Sequence, residues 1–115
     1  MGSESVIAEI FAHPEKLLGQ GVVINAVLVL RGGECYLVPS LDSHDALQRI
    51  EIYAPGLEKK LNASVACWVG GPAIYFDTVK IAGVLQAGTT RRNPLSISDL
   101  CSLVLYRDDE TYQII

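Results

Sequence analysis

Between Gly21 and Arg31 the chain reads GVVINAVLVLR, eleven residues rich in β-branched side chains, and Gly32-Gly33 and ECYLVP follow at once. No other stretch constrains the fold as tightly. The even positions Val22, Ile24, Ala26, Leu28 and Leu30 make an unbroken apolar face, while Val23, Asn25, Val27, Val29 and Arg31 are mixed. A period of two sends successive side chains to opposite faces of a strand. Two such runs joined by Gly-Gly predict a tight hairpin, because its central residues need positive φ. The apolar run from Val22 to Leu30 contains Asn25 and is far too short to span a bilayer.

The flanking segments read less uniformly. Val6, Ile7, Ile10 and Phe11 recur at helical spacing behind Ser3 or Ser5 as N-cap, and Pro14 should stop that helix near Ala12. Residues 40–48 form a polar loop. A third strand is expected at Arg49–Tyr53, with Ile50 and Ile52 facing one way and Arg49, Glu51 and Tyr53 the other. Pro55-Gly56 then introduces a short helix, LEKKLNA. A fourth strand is expected at Val65–Val69, followed by Gly70-Gly71-Pro72. The fifth, AIYFDTVKIAGVLQ, sets Val79, Ile81 and Leu85 against Thr78 and Lys80, with Asp77 read as facing solvent. After the linker AGTTRRNP, Leu95–Leu100 reads as one helical turn capped by Ser98. SLVLYR and TYQII flank Asp108-Asp109-Glu110 as a terminal hairpin.

Composition bounds the class. The 115 residues are 50% hydrophobic and 19% charged, with a net charge of −4. That suits one domain able to bury roughly two-thirds of its unfolded surface, and it excludes intrinsic disorder. The acidic balance argues against a protein that mainly grips a phosphate backbone. Cys35, Cys67 and Cys101 are odd in number and match no zinc or disulfide spacing, so free thiols in a reducing cytoplasm are expected. The amino-terminal segment lacks the basic and apolar regions of a signal peptide. The expectation is therefore a cytoplasmic protein outside the membrane.

Strand, tight hairpin, strand, loop, strand, helix, strand, tight hairpin and long strand is the order of the five-stranded Greek-key barrel known as the OB-fold. Over residues 6–87 the chain resembles small bacterial OB-fold proteins. HPEKLLGQGVVINAVLVL looks like their helix, glycine and long first strand, and PGLEKKLNASV occupies the place of the helix between strands 3 and 4. VGG followed by VKIAGVL supplies the last strand, with Gly83 as a bend residue. The resemblance implies a mainly β, OB-like barrel of one domain, with an N-terminal helix, a short helix between strands 3 and 4, and residues 88–115 as a hairpin extension packed on it. A β-sandwich with an N-terminal helix is the structural rival.

OB-folds often bind oligonucleotides or oligosaccharides on the face of strands 2 and 3. Here that face offers Tyr36, Arg49 and Tyr53, with Trp68 as a further candidate. A nucleic-acid module would add stacked aromatics and a basic groove, whereas the basic residues here are scattered and the turns short. Packing or rim positions for the aromatics are the plainer reading. Asp42-Ser43-His44-Asp45 holds the residue types of a hydrolase triad, but triad members normally converge from separate elements, and GxSxG is absent. No catalytic residue, cofactor or metal is assigned. Val23, Val27 and Val29, opposite the core face of the first strand, need a cover, which an internal element or a second subunit could supply. They are the candidate interface. The expectation is a non-enzymatic module that binds a protein partner, with homodimerisation as one form. Small acidic proteins that neutralise a toxin or adapt an effector are similar in size and charge. Single-stranded nucleic acid or oligosaccharide on the strand 2–3 face is the alternative.

Overall fold

A computed structural model describes residues 4–31, 34–40, 49–66, 75–88 and 94–115. Trp68, Cys67, the 42–45 loop and both Gly-Gly turns lie outside the described residues. The elements in order are β1 (Glu4–Val6), α1 (Ile7–Ala12), a 3₁₀ turn (Pro14–Lys16), β2 (Gly21–Arg31), β3 (Glu34–Val38) and β4 (Ile50–Ile52). They continue with α2 (Leu57–Ser64), β5 (Tyr75–Ala87), β6 (Leu95–Arg107) and β7 (Glu110–Gln113).

Five strands close into a ring in the order β2-β3-β4-β6-β5, and β5 returns to β2 through ten register pairs from Gly21↔Val84 to Leu30↔Tyr75. Pairing is antiparallel throughout the ring except between β4 and β6, which run parallel from Ile50↔Leu95 to Ile52↔Ile97. This mainly β, closed five-stranded barrel is compatible with the OB-like architecture. β1 lies parallel to the first half of β2, and β7 pairs with the end of β6 outside the ring. Closure leaves the ring without free edges.

The interior follows from the period-two patterns. Ile24, Leu28, Leu37, Ile50, Tyr75, Val79, Ile81, Leu85, Ile97, Leu103 and Leu105 are fully buried in one cluster, joined by Ile7 and Ile10 of α1 and Leu57 and Leu61 of α2. Each large side chain removed from water in this way contributes roughly 1.5–3 kcal/mol. α2 sits at the end of the barrel where β2 stops and β5 starts, held by the Tyr75 hydroxyl, which lies 2.8 Å from both Asn62 Oδ1 and Val65 O and shares its single proton between them.

Three sequence expectations change. Residues 95–100 are strand, not a helical turn, and β6 is the fifth ring strand, so residues 95–107 belong to the barrel and are no extension beyond it. The terminal hairpin stands, with Asp108 and Asp109 at φ +50° and +66° in its turn. Val65 and Ala66 are not in a strand. At the amino end Pro14 does stop α1 after Ala12, but Ser5 lies in β1, and the extended N-cap Val6 brings no side-chain hydrogen bond. Gly83 lies within the continuous strand β5, opposite an irregularity in its pairing with β6. The register slips between Ala82 and Val84, and a Cβ at position 83 would stand 2.6 Å from Ser98 O.

Candidate binding surface

The β2–β3 hairpin and β5 place Val27, Val29, Tyr36 and Val38 on the outside of the barrel, because these positions alternate with the core set. Register pairs Val29 with both Tyr36 and Phe76, and Val27 with Val38. The four form a second apolar cluster, with Phe76 partly buried against it. Val27 and Val29 are each only 4% exposed. They are covered within the chain and offer no bare contact surface. Val23 is half-buried.

Arg49 closes over this outer cluster. Its guanidinium carbon lies 3.9 Å from the centroid of the Tyr36 ring, a cation–π geometry. Tyr36 is therefore packed under a cation and is not a free stacking platform. Glu51 is the register partner of Tyr36, and Arg49 Nε is buried without a hydrogen-bond partner. Tyr53 differs from its neighbours. It extends β4, its backbone N–H donating to Ile97 O at 2.9 Å, and its side chain is 64% exposed, the highest value among the exposed large apolar residues described.

Tyr53 also walls a recess of about 280 Å³ at the barrel mouth. Leu30, Cys35 and Ile52 line it from the ends of β2, β3 and β4. Ala54, Pro55, Gly56, Leu57 and Glu58 line it from the turn into α2. Gly56 makes that turn at φ +82°, a left-handed conformation that glycine adopts without strain. Burial, reinforced by the negative charge of Glu58, pushes the Cys35 thiol from its ordinary value of 9.0 up to about 12. Cys35 is thus a neutral wall group and is disfavoured as a nucleophile.

The barrel end near α2 holds a charged group as well. Asp77 is buried, not solvent-facing, and accepts Arg107 Nε at 2.8 Å on Oδ1 and Arg107 Nη2 at 2.7 Å on Oδ2. Arg107 Nη1 donates to Ala66 O at 2.6 Å. Donating these hydrogen bonds to Asp77 raises the Arg107 pKa, outweighing a desolvation effect of opposite sign. This pair ties β5, β6 and the segment after α2 together, and its donors and acceptors face one another. It is a structural lock.

The structure thus brings Tyr36 and Arg49 into contact and leaves Tyr53 projecting. Sequence reasoning missed the recess and the role of Glu58. The signal was faint: Glu58 follows a Pro-Gly turn and reads as an ordinary helix-surface acid. Among the described residues no group of three or more His, Cys, Asp or Glu side chains is placed to hold a metal ion, and no helix is long and apolar enough to cross a membrane. Comparison with protein-family models, curated proteins and solved structures found no match.

Proposed function

We propose that this chain is a non-enzymatic binding module that engages a protein partner through the surface around Tyr53, at the end of β4 and the start of α2. The observation that carries the reading is Tyr53 itself. A tyrosine 64% exposed, fixed by a backbone hydrogen bond and set beside an apolar recess, resembles the rigid aromatic anchors of protein interfaces. The charges agree, since Glu51 is the register partner of the Tyr36 that Arg49 covers and Glu58 lines the recess beside Tyr53, so a phosphate backbone would meet mixed signs. Val27 and Val29 are no longer part of the reading, because their burial removes the reason for assigning them to an interface.

Oligonucleotide or oligosaccharide binding is the second reading. The buried, unpartnered Arg49 Nε favours a ligand rich in acceptors on the β3–β4 face.

Crosslinked capture with the wild type and Tyr53→Ala as paired baits tests the first reading. A protein retained by the wild type and lost from the variant is expected. Titration with labelled single-stranded DNA and RNA at low salt tests the second. Micromolar, salt-sensitive binding abolished by Arg49→Ala would overturn the protein-binding reading.

A further inference from the structure

The recess at the barrel mouth has a shape and a charge that together specify an occupant. Its volume, about 280 Å³, lies just below the roughly 300–1,000 Å³ typical of sites for drug-sized ligands, so it suits a single long side chain. Leu30, Ile52 and Leu57 supply buried apolar contact, and Tyr53 presents a largely exposed ring. Among the described residues Glu58 supplies the only carboxylate of the lining and makes no ion pair or hydrogen bond. Its field reaches the recess wall, since it adds to the upward shift of Cys35. An acidic occupant would meet this carboxylate with like charge. A purely apolar one would leave this exposed carboxylate at the rim without a counter-charge. A methylene stem ending in a cation satisfies both halves of the site, because such side chains bury the stem and keep the head at the rim. The Arg49–Tyr36 stack shows the same cation-on-tyrosine pairing inside this molecule.

We infer that the barrel mouth is a socket for a lysine or arginine side chain of the protein partner, its methylenes against Leu30, Ile52 and Leu57 and its cation between Glu58 and the Tyr53 ring. The socket rests on the protein-binding reading and gives it a chemistry. The partner presents a basic residue flanked by apolar ones, complementary to a chain of net charge −4.

The probe is a set of blocked pentapeptides, Gly-Leu-X-Leu-Gly with X as lysine, arginine, norleucine or glutamate, titrated into the full chain labelled at its methyl groups and amides. The lysine and arginine peptides should shift the Leu30, Ile52 and Leu57 methyl signals saturably in the millimolar range, and the other two should bind several-fold more weakly. Glu58→Gln and Tyr53→Ala should each weaken the lysine peptide by about three- to fivefold, with thermal melts establishing that both variants fold. Equal binding of the norleucine peptide, or no shift with any peptide, overturns the socket. So does lysine amide alone binding as tightly as the peptide, which would mark a site for a small free cation. A captured protein lost with Tyr53→Ala but held at full strength by Glu58→Gln overturns the socket and leaves the protein-binding reading standing. Peptide binding with no protein retained by the wild type sinks that reading, and the assignment to a partner with it.

Discussion

Asp77 shares the odd-numbered face of β5 with Val79, Ile81 and Leu85, so parity alone places it inside the barrel. Charge argues the opposite, and that conflict resolves only once a partner is known. The partner, Arg107, is thirty residues away at the end of β6, and nothing local in the sequence joins the two. Their side chains are 4% and 11% exposed, so solvent screens the pair little. Asp77→Asn or Arg107→Met should each cost about 3–5 kcal/mol, because each strands a buried polar or charged group, while the Asp77→Leu/Arg107→Met double variant should cost less than the worse single variant. Urea unfolding midpoints decide this, and additive losses would show that the pair is not coupled. The apolar residues were easier to read, since their identity and parity agree. Tyr53 was also legible as a face residue, but the recess beside it depends on where the Pro55-Gly56 turn returns the chain. Cys35 allows a pH test. Its thiol is raised from 9.0 to about 12 in the fold, so the folded chain keeps a proton that the unfolded chain releases. This contribution is fully present below pH 9 and is lost as the pH rises from 9 to 12. In a Cys67→Ser background, a thiol reagent at pH 8 should modify the exposed Cys101 quickly and Cys35 only at the rate of opening. Equal rates would contradict the protonated, shielded thiol.

At the scale of elements, legibility follows regularity. β2, β3 and β5 are legible because alternation and punctuating glycines specify them. β6 is not, and the reason is its bulge. Ala82 pairs with Ser102 and Val84 with Ser98, so residues 99–101 oppose the single Gly83, and Asp99 takes φ +49°. That insertion breaks the alternation LSIS before LVL can continue it, and the isolated halves read as a helical turn and a short strand. The strand becomes evident only against its partner. Gly83 is where the bulged segment presses on β5. A methyl there would meet Ser98 O at 2.6 Å, the Leu100 side chain at 2.9 Å and the Ile97 side chain at 3.1 Å. The nearest atom is backbone and cannot swing away. Gly83→Ala should therefore destabilise by about 1–3 kcal/mol, despite the general preference for alanine over glycine in strands. Gly21→Ala is the control, since its nearest neighbour would be 4.0 Å away. Similar midpoints for the two variants would show that the bulge yields freely.

Taken whole, the molecule is a ring, and a ring has a closing step. β6 makes that closure by pairing with β5 along nearly its full length and with β4 at its start. Before β6 is in place, β4 has one partner strand through two register pairs, and β5 keeps only β2. Leu95, Ile97, Leu103 and Leu105, all buried in the shared core, come from β6 as well. A chain stopped at residue 93 therefore loses both the closure and about four large core side chains, each worth roughly 1.5–3 kcal/mol, which together approach the whole stability of an ordinary domain. It should show no cooperative unfolding transition. A chain stopped after Asp109 is a different case. It loses β7, which pairs only with β6, together with the buried Ile114, whose N–H bonds Leu103 O at 2.8 Å. The ring itself remains. That variant should unfold cooperatively at a lower denaturant midpoint, with the dispersed amide spectrum of a folded barrel. Had residues 88–115 been an extension laid on a barrel complete by residue 87, the chain stopped at 93 would also fold. Calorimetry and amide spectra of the two truncations separate these architectures, and a cooperative melt from the shorter one would overturn the ring closure described for β6.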